Sequence, residues 1–393
     1  MSTQDRLVLV DCRVVTPRAV IDNGMIAVEG GRVAEVGAGS GSGGRRLPLG
    51  GRWVLPGFID LHVHGGGGSD LVSSDPEEAL RAARFHLAHG TTALLASLVA
   101  RPDGDLAPLL ALVSNLGREG APGGPAIIGA HLEGPFLSPE RPGALDPTAF
   151  RLPDPAYLDS LLEAGRGALR MVTVAPELPG AVGLIGTLAG KGVMAALGHT
   201  AAGYEEARAA IAAGARHVTH LFNAMPSFHH RQPGVVGAVL EDPRVSCELI
   251  LDGVHVHPAA ARLAWSVLGP DRLVLVTDAM AGAGMPDGSY RIGSIEVQVE
   301  GGRAMTPDRR AIAGSTLTLD VALRNARRVL GLDMVVAARL LATNPARVLG
   351  IGHERGGLEP GKVADLVVLG DDLSIDHVMA AGRWVPGLEP EAG

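Results

Sequence analysis

The chain alternates apolar runs with longer amphipathic segments over most of its 393 residues. The apolar runs are rich in Val, Ile, Leu and Ala, and they are interrupted by few polar residues. Strands of this kind alternate with helices in parallel sheets that are covered on both faces. We count eight such runs, at residues 58–64, 91–98, 126–133, 171–176, 192–199, 217–223, 246–253 and 273–277.

Eight strand-and-helix units predict an α/β protein whose central part is a (β/α)8 barrel, also called a TIM barrel. The alternative is an open, doubly wound parallel sheet. The intervening stretches carry apolar residues at helical spacing. Those most typical of helices are 76–89, 203–213, 258–268 and 318–330.

The two ends of the chain are typical of β structure. Residues 7–15 are rich in β-branched side chains, and 25–36 are typical of a hairpin that turns at Gly30 and Gly31. After Leu358, the segments KVADLVVL (362–369) and VMAAGRWV (378–385) are also typical of strands. We therefore expect residues 1–54 and 346–393 to form one small β-sandwich domain, and residues 55–345 to form the barrel. Within the barrel, 289–314 is expected to be a hairpin that docks on the small domain.

Composition narrows the classes of function. The formal net charge of −8 disfavours a nucleic-acid-binding protein. No apolar run approaches the ~18 residues of a membrane helix, and the N-terminus does not resemble a signal peptide. The two cysteines, Cys12 and Cys247, are too few for a disulfide framework or a cysteine-rich zinc site. We expect a soluble, cytoplasmic protein.

Polar residues follow the apolar runs at the points where strands should end. Because side chains alternate along a strand, His62 shares a face with His64, and His131 shares one with Glu133. The carboxyl ends of barrel strands meet at one face, where barrel enzymes carry their active sites. The histidines and carboxylates considered there as candidate site residues are His62, His64, His131, Glu133, His199, His217, His220 and Asp278.

Histidine and carboxylate without cysteine form the ligand set of a hydrolytic metal centre that keeps a position for water. The ligands suit zinc, iron, manganese or cobalt, with one or two divalent ions per subunit. Any single residue of the set could instead be a capping or loop residue. We expect His217 to be structural, and His131 to support the ligands or to fill the barrel.

Nine motifs identify a family resemblance, in order along nearly the whole chain. They are PGFIDLHVHG (56–65), HLEGPF (131–136), LGHT (197–200), THLFNAM (219–225), RQPG (231–234), DGVH (252–255), VTDAM (276–280), AGS (313–315) and TNPARVLG (343–350). The chain resembles the amidohydrolase superfamily and, within it, the N-acetylglucosamine-6-phosphate deacetylase family.

The resemblance implies a role for each matching residue. Asp278 would be the catalytic acid and base. Five residues would ligate metal, namely Glu133, His199 and His220 for the main ion and His62 and His64 for a second. Four would hold the sugar phosphate, namely Asn223, Ala224 (through its backbone), Arg231 and His255. A homodimer is also implied, because the phosphate pocket of this family lies near a dimer interface.

One segment departs from the family pattern. The family usually carries a histidine in a Gly-x-His segment after HLEGPF, and here that segment is Gly143-Ala144-Leu145. Leucine cannot donate a hydrogen bond to an amide carbonyl. If Leu145 occupies that position, the metal or another residue must polarise the carbonyl.

The expected activity is the metal-dependent hydrolysis of N-acetyl-D-glucosamine 6-phosphate to D-glucosamine 6-phosphate and acetate. The nearest alternative is the same reaction on another N-acetylated amino-sugar phosphate, such as the galactosamine epimer. An alternative from another class is a catalytically silent barrel that serves as a binding module.

Overall fold

The computed structural model describes residues 6–71, 73–102, 105–120 and 123–390. Eight strands form a parallel sheet in which each strand pairs with its neighbours in chain order. From first to eighth, these barrel strands are Phe58–Val63, Thr91–Val99, Ala126–Glu133, Leu169–Val174, Met194–Leu197, His217–Val218, Ser246–Ile250 and Leu273–Val276. All eight predicted strands are confirmed.

The sheet closes on itself between its first and last strands. Val63 forms a parallel bridge with Ala279, just beyond the eighth strand. The backbone N–H of Asp278 donates to the carbonyl of His62 at 2.8 Å, and that of His64 donates to the carbonyl of Ala279 at 2.8 Å. The predicted TIM barrel is therefore confirmed, and the open doubly wound sheet is wrong because such a sheet keeps two unpaired edges.

A helix follows each barrel strand. In chain order these helices are Pro76–Ala88, Ala107–Glu119, Pro155–Gly165, Ala181–Gly190, Tyr204–Ala213, Gly234–Glu241, Pro258–Arg272 and Leu319–Leu330. Short helical segments also occur at Pro147–Ala149, Met334–Ala338, Arg339–Thr343 and Asn344–Val348. In the described ranges, no helix combines the length and the apolar character needed to cross a bilayer.

Local sequence explains where several helices begin and end. The carboxylate of Asp75 accepts from the backbone N–H of Glu77, and Pro76 begins the helix that follows. An Asp cap before a proline is a strong start signal, because the cap satisfies a free N–H and proline has none to satisfy. The helix at Pro258–Arg272 breaks at Gly269, which has a φ of +63°.

The two chain ends build a second sheet, as predicted. Its seven strands, in spatial order, are Arg383–Trp384, Ile375–Ala380, Leu366–Leu369, Arg45–Pro56, Leu7–Val15, Val20–Glu29 and Arg32–Ala38. Neighbouring strands are antiparallel except for Leu7–Val15 and Arg45–Pro56, which are parallel. This sheet has a separate apolar core. Residues 1–5 and 391–393 of the predicted domain lie outside the described residues, and the domain limits stay a prediction.

The predicted hairpin turn at Gly30 and Gly31 is confirmed. Glu29 pairs with Arg32 across the turn. The two glycines have φ angles of +57° and +76°. A two-residue hairpin turn with positive φ at both positions matches the twist of its strands and favours glycine.

The insertion after the eighth strand forms three antiparallel strands, Gly288–Ile292, Ile295–Glu300 and Arg303–Met305. We expected it to dock on the small domain, and this prediction is wrong. Its apolar side chains are buried in the same core as the barrel, and the backbone after it returns to the barrel through a bridge between Ala279 and Ser315. An alternating strand pattern does not show which surface its apolar face covers.

Asp320 connects the last barrel helix to the first. Its carboxylate lies 3.1 Å from Nδ1 of His89 and accepts from Arg324 at 2.9 Å. Burial alone would raise the pKa of Asp320, but hydrogen bonds from His89 and Thr318, with the nearby positive charges, lower it to about 2. A lowered carboxylate pKa stabilises the fold above the unfolded-state value of about 3.9, and this stabilisation is lost as the pH falls toward 2.

Replacing Asp320 by Asn should therefore lower the free energy of unfolding at pH 7 by about 2 kcal/mol. The difference from the wild type should shrink between pH 4 and pH 2. Urea unfolding at several pH values measures it, with the exposed Asp22→Asn as the control. An Asp320→Asn variant that is equally destabilised at pH 2 and pH 7 would contradict this account.

Candidate active site

Six predicted residues from five barrel strands converge at the carboxyl end of the barrel. His62 and Glu133 lie in the first and third strands, and the other four follow strands by one or two residues. Each of the six is buried. They come together although they are far apart in the chain, since Glu133 and Asp278, for example, are separated by well over a hundred residues. The six form two groups that could each hold a metal ion, His62 with His64 and Asp278, and Glu133 with His199 and His220.

The group of Glu133, His199 and His220 is compact. Nε2 of His199 and Nε2 of His220 each lie 3.0 Å from Oε1 of Glu133. The two nitrogens lie 3.1 Å from each other. A tetrahedral ion with bonds of about 2.0–2.1 Å separates its ligand atoms by about 3.3 Å. The three side chains are therefore already close to the spacing of a metal coordination shell.

The second group has the same spacing. Nε2 of His64 lies 3.1 Å from Nε2 of His62 and 3.1 Å from Oδ1 of Asp278. The group adjoins the first, because the other oxygen of Glu133, Oε2, lies 3.3 Å from Nε2 of His64. Glu133 thus faces both groups with its two oxygens.

Hydrogen bonds on the far side of the imidazole rings favour a cation between them. Nδ1 of His64 donates to the carbonyl of Ser97 at 3.1 Å, and Nδ1 of His199 donates to the carbonyl of Arg141 at 3.0 Å. Because a carbonyl only accepts, each ring carries a proton on Nδ1 and turns its Nε2 toward the cluster. Nδ1 of His62 likewise faces an acceptor, the carboxylate of Glu248 at 3.1 Å, and its Nε2 lies 3.1 Å from Nε2 of His64. Two Nε2 lone pairs at this distance repel unless a positive charge lies between them. The donor set therefore fits a divalent metal.

The electrostatics agree with this fit. Burial alone would lower the pKa of His64, but hydrogen bonds to Asp278 and Glu133 raise it to about 9. Burial opposes ionisation of Glu133, yet the charge of His62 and hydrogen bonds from His199 and His220 hold its pKa well below the usual range. The cluster is thus an acidic, buried environment that attracts positive charge, and a divalent ion would replace protons on the imidazoles.

Asp278 is ionised in the same environment. Burial raises its pKa, but the charge of His62 and the hydrogen bond from His64 outweigh burial and lower it. Its side chain borders the open cavity above the cluster. An ionised carboxylate at this position can accept a proton from a molecule in the cavity.

The backbone at the site is strained. His199, His220, Ala224 and Asp278 have positive φ angles, between +30° and +51°. Residues other than glycine rarely adopt this conformation, and they do so mostly at functional sites where the surrounding structure holds them. These turns also explain why the sixth strand ends at Val218, earlier than predicted. The chain leaves the sheet so that the ring of His220 can reach Glu133.

A cavity of about 340 Å³ opens above the cluster. This volume lies at the lower end of the range for small-molecule sites, about 300–1,000 Å³. Three of the predicted substrate residues border it, namely Asn223, Ala224 and His255. Nδ1 of His255 lies 2.7 Å from the carboxylate of Asp252, which orients the ring. Leu145 also borders the cavity, and it provides an apolar surface there.

Arg231 is placed differently. It is exposed, and it does not border the cavity in the described part of the chain. The arginine that does border it is Arg310, which the sequence analysis did not single out. Arg310 lies in the insertion after the eighth strand, and no motif marks it. Only the docking of that insertion on the mouth of the barrel brings it to the site.

Sequence analysis also missed Glu248 and Asp60. Glu248 lies in the seventh strand, fully buried, between His62 and His217. Asp60 accepts from the hydroxyl of Thr277 at 2.6 Å, and burial raises its pKa to about 7. A charged residue within an apolar strand was the available signal in both cases. His217 supports the site through Glu248, and His131 lies beside the ring of His62, with 4.7 Å between ring centroids.

A barrel with imidazole and carboxylate groups at the carboxyl ends of its strands defines a class of metal-dependent hydrolases. Residues 53–385 match the family model described as the amidohydrolase family. The chain belongs to the amidohydrolase family.

Individual relatives and solved structures agree with this assignment. The chain is 39% identical over 339 residues to an N-acetylglucosamine-6-phosphate deacetylase from Vibrio furnissii, covering 86% of this chain and 84% of the relative. It is 39% identical over 330 residues to an N-acetylgalactosamine-6-phosphate deacetylase from Escherichia coli O157:H7, covering 84% of this chain and 87% of the relative. It is also similar to a mutant N-acetyl-D-glucosamine-6-phosphate deacetylase from Mycobacterium smegmatis, solved in complex with N-acetyl-D-glucosamine-6-phosphate, with 43% identity, a TM-score of 0.92 and coverage of 97% and 99%.

Removing divalent metal should lower the melting temperature by a few degrees. A ligand present at about 100 times its Kd stabilises the native state by about 2.7 kcal/mol, and that contribution is lost on chelation. Differential scanning fluorimetry with and without a chelator measures the change. Adding back zinc, iron, manganese or cobalt should restore it in the wild type but less in Glu133→Gln. Equal melting temperatures with and without metal, in protein that elemental analysis finds metal-free, would contradict the metal centre.

Proposed function

We propose that the protein is a metal-dependent deacetylase that hydrolyses N-acetyl-D-glucosamine 6-phosphate to D-glucosamine 6-phosphate and acetate. The observation that carries the proposal is the convergence of Glu133, His199 and His220, within 3.0–3.1 Å of one another, below an open cavity. Relatives and solved structures of that name support the substrate class. The presence of every metal-type residue and of Asp278 favours an enzyme over a silent binding module.

The residues of the site would have different roles in amide hydrolysis. Glu133, His199 and His220 would hold a divalent ion, which supplies Lewis-acid activation of a water molecule and of the amide carbonyl. Asp278 accepts the proton that the attacking water loses as its oxygen bonds to the carbonyl carbon. It then gives this proton to the nitrogen as the C–N bond breaks, which leaves the free amine and acetic acid, and the acid loses its remaining proton to become acetate at neutral pH.

His62 and His64 would hold a second ion. Their Nε2 atoms and Oδ1 of Asp278 lie 3.1–3.4 Å apart. We propose that each subunit has capacity for two ions of zinc, iron, manganese or cobalt. A metal in contact with the carbonyl would also replace the hydrogen bond that Leu145 cannot donate.

The sugar phosphate would lie between two walls of the cavity. Asn223, the backbone of Ala224 and His255 form one wall, and the insertion that carries Arg310 forms the other. A guanidinium binds phosphate oxygens through paired, charge-assisted hydrogen bonds. We propose that Arg310 contributes to phosphate binding from within one chain.

We also propose that the protein is a homodimer, in keeping with the family resemblance. Phe228 is 58% exposed, and it lies in the exposed segment that leads to Arg231. A second copy that covers this segment would bury Phe228 and give Arg231 a role in phosphate binding.

Two free, buried cysteines, Cys12 and Cys247, support a reducing, cytoplasmic location.

The purified, metal-replete protein is expected to release acetate from N-acetyl-D-glucosamine 6-phosphate. The Asp278→Asn variant should lower kcat by about 100- to 10,000-fold, the usual contribution of general acid–base catalysis. Its metal content is measured in parallel, because Asp278 also contacts His64. Parallel assays on the galactosamine epimer decide between the two sugars. Cleavage of another amide but neither of these would contradict the substrate, and a fully active Asp278→Asn would contradict the role of Asp278.

Replacing Arg310 by Ala should raise KM by about 10-fold or more, because a charge-assisted hydrogen bond contributes about 1.5–3 kcal/mol. The value of kcat should change little, since Arg310 is remote from the scissile bond in the proposed binding mode. Arg303→Ala is the matched control, because Arg303 is exposed on the same insertion and does not border this cavity. Steady-state kinetics with unphosphorylated N-acetylglucosamine should show no difference between Arg310→Ala and wild type. An equal loss on both substrates would contradict phosphate binding.

A further inference from the structure

Glu248 is a buried carboxylate that belongs to neither group of candidate metal ligands. It projects from the seventh barrel strand, and its side chain is fully buried. A carboxylate in such a place is very costly unless several donors satisfy it. Three donors do so, two of them histidine rings.

The contacts of Glu248 lie immediately behind the second metal group. Its Oε2 lies 3.1 Å from Nδ1 of His62 and accepts from the backbone N–H of His220 at 3.1 Å. Its Oε1 lies 3.1 Å from Nε2 of His217, and the other nitrogen of that ring lies 2.7 Å from the hydroxyl of Ser246. The carboxylate is therefore held at both ends, and it cannot rotate away from His62 without losing these partners.

This contact determines which nitrogen of His62 can bind a cation. An ionised carboxylate has acceptors only, so His62 must carry its proton on Nδ1. Its Nε2 then points toward His64 and Asp278, at 3.1 Å and 3.4 Å. Outer hydrogen bonds of this kind fix the tautomer and the orientation of metal-binding histidines.

Two of the other histidines, His64 and His199, depend on different acceptors. Nδ1 of His64 uses the carbonyl of Ser97, and Nδ1 of His199 uses the carbonyl of Arg141. The carboxylate of Glu248 accepts from the backbone N–H of His220, and its hydrogen bonds in the described residues do not include the ring of that residue. Removing the acceptor at position 248 should therefore affect the ring of His62 far more than the other rings.

We infer that Glu248 is a positioning residue for the second metal ion, which it prepares by orienting His62. The inference rests on the proposed metal centre and extends it to a residue outside both ligand groups. A change at Glu248 should therefore weaken occupancy of the second metal site while the first site stays occupied.

The test is a cobalt titration of metal-stripped protein, followed by visible absorption and by elemental analysis. The variants are Glu248→Met, which keeps a similar volume but offers only a weakly accepting thioether sulfur, and Glu248→Gln, which can keep an amide oxygen toward His62. We expect two ions in the wild type. Glu248→Met should bind the second ion about 10- to 100-fold more weakly, as is usual when such a supporting partner is lost, while the first ion is retained.

Glu248→Gln should rescue the second site to within about threefold of wild type, because it restores the acceptor without the charge. The double variant Glu248→Met with His62→Asn should bind the second ion no more weakly than His62→Asn alone, since both changes act through one ring. Thr173→Val is the control for a buried polar change nearby, since Thr173 contacts His131 and not Glu248. If Glu248→Met does not fold, Glu248→Asp replaces it, because the shorter carboxylate keeps its charge but moves away from His62, and the same weakening is expected.

Several results would overturn the inference. The first is a Glu248→Met or Glu248→Asp variant that binds two ions as tightly as the wild type does, and the second is an equal loss of affinity for both ions. The third is a Glu248→Gln variant that binds the second ion as weakly as Glu248→Met does, which would indicate an effect of charge alone. Wild-type protein that binds a single ion would also overturn it, while leaving the proposed deacetylase intact. Two-ion protein with no deacetylase activity would contradict the proposed function and leave the role of Glu248 in place.

Discussion

Compensation of buried negative charge is the constraint on which the rest of the site depends. Glu133, Glu248 and Asp278 are all buried at the carboxyl end of the barrel. Carboxylates in such surroundings persist only with hydrogen-bond donors and positive charge close by. The imidazoles supply the donors, and the strands that carry them must bring them within about 3 Å. The geometry of the barrel strands therefore determines whether the buried carboxylates of the cluster receive the hydrogen bonds that they need.

Closure of the barrel contributes directly to that solution. Asp60 accepts from the backbone and the hydroxyl of Thr277, and it also accepts from the backbone N–H of His62. The two bonds from Thr277 connect the end of the eighth strand to the first strand, within two residues of His62 and Asp278. As a result, His62 and Asp278 are held in register by the same contacts that complete the sheet. A loop-borne site would lack this rigidity.

The fold was predictable from the sequence because apolar runs and helical spacing recur through the chain. The convergence of Glu133, His199 and His220 was predictable because the parallel strands of a barrel all end at one face. Glu248 was not, because a single acidic residue inside a strand does not show which histidine it will contact. Arg310 was not, because its place depends on how an insertion docks, which is a matter of tertiary packing. Arg231 could be named from its motif, but a motif gives no information on whether its side chain reaches the cavity of its own chain.

The strand pairing of the terminal sheet determines when this sheet can be completed during synthesis of the chain. Strand Arg45–Pro56 needs Leu366–Leu369 as its partner, and these segments are separated by the entire barrel. During translation the first four strands emerge early, but one edge of Arg45–Pro56 stays unpaired until almost all of the chain has left the ribosome. An unpaired strand edge can associate with other chains. The nascent protein therefore carries an open strand edge throughout the interval between the synthesis of these two strands.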